Sequence, residues 1–149
     1  MRVSSPAESE SPVAFEVGEG IARVTLDRPA QFNALSGALI AALQAVLDRI
    51  ASDRSLRVVV LAARGRGFCA GHDLKEIRAM GDVAEVEQLF ARCSRMMVML
   101  ARMPQPVIAK VHGLATAAGC QLVASCDLAV ASTAASFATP GVDIGAFCS

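Results

Sequence analysis

Val111-His112-Gly113-Leu114-Ala115-Thr116-Ala117-Ala118-Gly119-Cys120-Gln121-Leu122 is the stretch around which the chain is organised. It continues Val107-Ile108-Ala109-Lys110-Val111, a short apolar run behind Pro104 and Pro106 that reads as a buried strand. Small residues then lead into residues 120–124, which suit a helix. A strand that passes into a helix through small residues leaves the N–H groups of the first helical turn unpaired. Those donors, at the positive end of the helix dipole, suit an anionic oxygen. The same small residues equally suit a close strand–helix contact that larger side chains would obstruct. The stretch alone leaves both readings open.

A second stretch has the same form. Gly65-Arg66-Gly67-Phe68-Cys69-Ala70-Gly71-His72-Asp73-Leu74-Lys75-Glu76 follows the apolar run Val58-Val59-Val60-Leu61-Ala62-Ala63 and also opens towards a helical pattern. Two such turns from successive units can aim N–H groups at one point. Phe68 to Glu76 resembles the first oxyanion-hole motif of the crotonase (enoyl-CoA hydratase/isomerase) superfamily, and Pro106 to Leu122 resembles the second. The run Leu26-Asp27-Arg28-Pro29-Ala30-Gln31-Phe32-Asn33-Ala34-Leu35 resembles the family's opening segment. The three matches fall in the family's order between Phe15 and Ser149.

Composition bounds the rest. The chain has 149 residues, 54% of them hydrophobic, with no formal net charge at pH 7. That length supports one domain with a real core. The balanced charge argues against a nucleic-acid partner, which needs a basic surface. No apolar run is long enough to span a membrane. Cys69, Cys93, Cys120, Cys126 and Cys148 are odd in number and irregularly spaced, and His72 and His112 are the only histidines. This predicts reduced thiols, a cytoplasmic location and no metal site. Residues 1–12 carry Ser, Pro and Glu without an apolar signal core and read as a disordered tail, leaving 13–149 as the core domain.

Along the chain, Val13 to Val17 and Ile21 to Leu26 read as a hairpin around Gly18-Glu19-Gly20. Leu35, Leu39, Leu43, Val46, Leu47 and Ile50 share one helical face, with Ser36 as N-cap. Val58 to Ala63 reads as a strand covered on both faces. A short helix from Asp73 to Met80 precedes a long one whose stripe is Val83, Val86, Phe90, Cys93, Met97 and Leu100. Met96, Met97, Met99 and Met103 read as helix-packing residues rather than as an acyl-binding wall. Two short strands close the chain, Asp127 to Ala131 and Ser136 to Ala138.

The alternation of strands and helices gives an α/β class. Pattern alone allows a doubly wound sheet. The resemblance implies instead a crotonase-like spiral of repeated β-β-α units, although no repeat period is visible. It further implies that a C-terminal, mostly helical portion is missing, since family members continue with one that closes the acyl pocket. That portion also builds the family's trimer or hexamer, so such a homo-oligomer is expected only of a full-length chain.

The resemblance implies a coenzyme A thioester as substrate and no separate cofactor. Two backbone N–H groups, those of His72 and Ala118, would hold the enolate oxygen. Family members often carry Gly where Ala118 stands, and Ala keeps the N–H. Asn33, Ala34, Ala70, Gly71, His72, Asp73, Leu74 and Lys75 would line the thioester and pantetheine path, with Gly119 supporting the second turn. A hydratase also needs two glutamates to place and activate water. The motifs put Gln121 at the first of those places. After Phe137-Ala138-Thr139-Pro140 they put Gly141 at the second, with Asp143 the nearest carboxylate. Gln takes no proton at neutral pH, and Gly offers no side chain. The expected function is therefore acyl-CoA thioester binding of the enoyl-CoA hydratase/isomerase type, in fatty-acid metabolism. The alternatives are a non-catalytic acyl-CoA-binding or regulatory homologue, or a fragment without independent activity.

Overall fold

The structure is a computed structural model that describes residues 11–145. The expected tail falls almost wholly outside that range, and Cys148 with it. Strands β1 (Val13–Gly18) and β2 (Ile21–Leu26) form the expected hairpin, with Glu19 at φ 56° and Gly20 at φ 77° in the turn. Paired left-handed residues match the twist of the flanking strands. Pro12 is already tied to the sheet, since its carbonyl accepts from the Asp27 N–H at 2.8 Å.

Helix α1 (Gly37–Ser52) starts where Ser36 predicts, the Ser36 hydroxyl accepting from Leu39 N–H. Next come β3 (Val58–Ala63), β4 (Gly67–Cys69), α2 (Leu74–Ala79) and α3 (Val83–Arg102). Then follow β5 (Val107–Val111), β6 (Leu114–Thr116), α4 (Ala118–Ala124), β7 (Leu128–Ala131) and β8 (Ser136–Ala138). The strands split between two sheets, one ordered β1-β2-β3-β5-β7 and one ordered β4-β6-β8. Among the described residues only the β1–β2 pairing is antiparallel. Each unit thus gives one strand to each sheet before its helix: β3, β4, α2; then β5, β6, α4. These are the β-β-α repeats that the resemblance implies. The period escapes the sequence because β4 and β6 are three residues long and rich in small residues.

In register, Ala22 sits beside Val59, Val24 beside Leu61, and Val59 and Leu61 beside Val107 and Ala109. All are buried and join Leu39, Leu43 and Leu47 of α1 and Leu89, Met96 and Leu100 of α3 in one core. Two expectations are corrected here. Strand β3 is not covered on both faces: Val59 and Leu61 are buried, while Val58 and Val60 are only half-buried. The α3 stripe is also shifted. Its buried residues are Leu89, Cys93, Met96, Met97 and Leu100, whereas Val83 is 72% and Phe90 43% exposed. No residue of α3 before Leu89 is buried, and from there the helix packs chiefly against α1, with Phe90 on another side. Strand β7 is exposed throughout, with Leu128 61% and Val130 64% exposed.

Asn33 holds the segment between β2 and α1. It is fully buried at φ 54°; its amide donates to the carbonyls of Arg64 (2.9 Å) and Gly67 (3.0 Å), and its Oδ1 accepts from Arg28 N–H (2.8 Å). Asn tolerates this left-handed backbone better than most residues. Asn33→Ala removes the partner of one buried and two part-buried main-chain groups and is expected to destabilise the chain by roughly 2–4 kcal/mol in urea unfolding. A loss below about 0.5 kcal/mol would show that this bracing is unimportant.

Candidate functional site

The first turn is clamped from one side. Leu35 N–H donates to the Gly71 carbonyl at 2.7 Å, and the Leu35 carbonyl accepts from Asp73 N–H at 3.2 Å. Leu35 and His72 thereby form an isolated parallel bridge. In such a bridge the flanking residues supply both bonds, so the N–H of His72 points away from Leu35. It has no hydrogen-bond partner among the described residues. Ala70 N–H donates to the Phe32 carbonyl (3.0 Å), and the Cys69 thiol to the Asn33 carbonyl (3.3 Å). Asp73 caps α2 through Glu76 N–H and pairs with Arg28 at 3.2 Å. Burial works to raise the Asp73 carboxyl, but the Glu76 N–H and the Arg28 guanidinium outweigh it and hold it below its ordinary value. Glu76 in turn accepts from Gly37 N–H at the start of α1 (2.9 Å).

The second turn opens α4. Ala117 stands at φ 52° and ψ −125°, a strained conformation for a residue with a Cβ. It is pinned there: its N–H donates to the Ala138 carbonyl (2.9 Å), and its carbonyl accepts from Cys120 and Gln121 N–H (3.0 and 3.1 Å). The N–H of Ala118, first in the helix, has no partner among the described residues. The two turns touch. A Cβ at Gly71, whose φ is 88°, would lie 3.2 Å from the Ala118 nitrogen and 3.0 Å from the Ala117 Cβ. A Cβ at Gly119 would lie 2.1 Å from the Cys69 carbonyl oxygen, so no larger residue fits. The close strand–helix contact and the unpaired N–H groups therefore coexist.

Both turns line one cavity of about 570 Å³. Its walls include Ala70, His72 and Leu74 from the first turn, Thr116, Ala117, Ala118 and Gln121 from the second, and Thr139, Pro140 and Gly141. Phe90, Cys93, Ser94 and Met97 of α3 complete it. Met97 is thus both a packing residue and a wall. Among the described residues, no carboxylate lines it. Gln121 and Gly141 come together as the motifs imply, but Asp143 is exposed and lines no cavity here. A second, shallower hollow shares His72 and Leu74 and continues along Arg28, Phe32, Ala34, Asp73, Lys75 and Glu76. Asn33 reaches neither space, because its polar atoms are committed to the chain. Phe90 is a wall that the sequence reading missed, since its helical spacing assigns it to the core. Burial pushes the thiols of Cys69 and Cys126 up to about 12 and that of Cys93 to about 11, consistent with packing rather than nucleophilic roles.

A family model for enoyl-CoA hydratase/isomerase matches residues 16–149. The chain belongs to the enoyl-CoA hydratase/isomerase family. It is 50% identical over 130 residues to enoyl-CoA hydratase domain-containing protein 3, mitochondrial, of Xenopus laevis, covering 87% of this chain and 44% of that protein. It is 46% identical over 148 residues to the Rattus norvegicus protein of the same name, covering 99% and 49%. Among solved structures, enoyl-CoA hydratase of Mycobacterium smegmatis aligns with a TM-score of 0.90 at 55% identity, covering 94% of this chain and 55% of that one. The spiral is thus the crotonase fold, and the chain spans about half the length of the curated relatives it matches. The cytoplasmic expectation is corrected, because these relatives are named mitochondrial.

His72 also carries a testable charge effect. Its ring lies 4.4 Å from that of Phe90, tilted by 55°, and desolvation holds its pKa below the ordinary value of 6.5. The unfolded chain then binds this proton more readily, so stability is full above pH 6.5 and falls as pH drops through that value. His72→Phe is expected to flatten the decline in urea midpoint between pH 7 and pH 5. An unchanged decline would assign it to other groups.

Proposed function

We propose that this domain binds an acyl-CoA thioester and stabilises the enolate form of its carbonyl between the N–H groups of His72 and Ala118. The observation that carries the reading is the pair of unpartnered N–H groups on two touching turns beside one largely apolar cavity. Such donors are fixed before the ligand arrives, so they need no reorganisation as charge develops on oxygen. The hollow along Ala34, Asp73 and Lys75 offers a path for pantetheine, with Lys75 as a cation for the nucleotide end. The acyl chain would occupy the cavity between Phe90, Met97 and Pro140. Gln121 and Gly141 leave that space without the carboxylate pair that hydration requires. The reading is therefore enolate stabilisation on an acyl-CoA in fatty-acid metabolism, without ordinary hydratase chemistry.

The direct test compares butyryl-CoA with its S-butyl thioether analogue, which keeps the chain and removes the oxygen. Calorimetry is expected to show the thioester bound roughly tenfold more tightly, as two hydrogen bonds allow. Crotonyl-CoA hydration, followed by loss of the conjugated absorbance, is expected only at trace level. Equal affinities for thioester and thioether would remove the oxyanion assignment, and family-like hydration would mean that another group supplies the acid and base.

A further inference from the structure

Strand β3 carries apolar residues on both faces, but only one face has a cover. Val59 and Leu61 enter the core. Val58 and Val60, with Ile21 of β2 and Ile108 of β5, are half-buried and, among the described residues, do not pack against that core. The register makes them one surface. Val60 stands beside Ile108 and Ile108 beside Leu128, so an aliphatic row crosses β3, β5 and β7 on the outward face. Val58 and Val130, two residues along their strands, share that face. Leu128 and Val130 are exposed outright. In the other direction the row passes through Arg23 to Glu16, both exposed. Lys110 is the one charge at the outward positions of β3, β5 and β7.

Strands β2, β3, β5 and β7 are parallel to one another. Parallel sheets occur almost only with both faces covered. We propose that this outward face is where the chain pairs with a second copy of itself, sheet on sheet about a two-fold axis. Two sheet faces pack at about 10 Å with their side chains interdigitated. Contact of one surface with itself closes after two copies. Five strands about 4.8 Å apart, with about five residues each at about 3.3 Å, span roughly 400 Å² per copy. Two such faces, with the relief of their side chains, approach the roughly 1,000 Å² at which a specific pair begins. The pair is therefore weak and depends on concentration. Val60 lies on the middle strand and Glu16 on an outer one, which gives the apolar centre and polar rim of an interface. None of these residues lines the cavity or the hollow, so the pairing is separate from the site.

The test is sedimentation velocity of the whole chain from micromolar to millimolar concentration, where a monomer–dimer equilibrium is expected. Val60→Lys places a charge at the centre without entering the core and is expected to weaken the dimer by at least about tenfold. Val98→Lys, at an exposed apolar position of α3 away from the sheet, is expected to leave the equilibrium unchanged. Circular dichroism melts check that both variants fold. If Val60→Lys does not fold, hydroxyl-radical footprinting of the unaltered chain decides: Val60, Ile108 and Leu128 are expected to be protected at high concentration and Val98 not. A monomer at every concentration, growth beyond the dimer, or a dimer that Val60→Lys leaves intact overturns the proposal. Equal labelling of the face at low and high concentration overturns it as well.

Discussion

The bridge between Leu35 and His72 is the constraint on which the site depends. Its two bonds, from Leu35 N–H to the Gly71 carbonyl and from Asp73 N–H to the Leu35 carbonyl, use the groups flanking His72 and leave the N–H of His72 itself turned away. Arg28, Asn33 and Glu76 then fasten the segment around Leu35 to β3, β4, α1 and α2. The donor is therefore oriented by the first half of the domain before any ligand arrives.

The second turn is held by different means. Ala117 keeps a backbone conformation that costs of order 1–3 kcal/mol, offset by its bonds to Ala138, Cys120 and Gln121. Gly119 lets α4 come down on the Cys69 carbonyl, and Gly71 lets the first turn meet Ala118. A clamp and a strained, close-packed helix start thus put two unpaired N–H groups beside the same space. The cost of leaving them unpaired is one that a ligand oxygen would relieve.

Much of this was legible in the sequence, for physical reasons that differ by element. The hairpin at Glu19-Gly20, the Ser36 cap and the strand at residues 58–63 are local signals of turn chemistry, capping and apolar length, and the structure keeps all three. The α3 face was misread because the stripe drawn through Phe90 lies one position off the buried one through Leu89, Cys93, Met96 and Leu100; Phe90 is therefore a cavity wall. Strands β4 and β6 escaped because their three residues fall inside the two motif turns, among small residues. For the site, Gln121 and Gly141 line one cavity, whereas the Asn33 side chain braces the chain and Asp143 lies outside the cavity. Side-chain roles of this kind depend on where distant segments meet, which motif order alone does not give.

The two amide groups can be watched directly. In a ¹⁵N-labelled sample titrated with butyryl-CoA, the account predicts that the amide protons of His72 and Ala118 shift downfield together, more than any other pair and with one saturation curve, as hydrogen bonds to a shared oxygen require. Saturable binding that leaves either amide unmoved would contradict it.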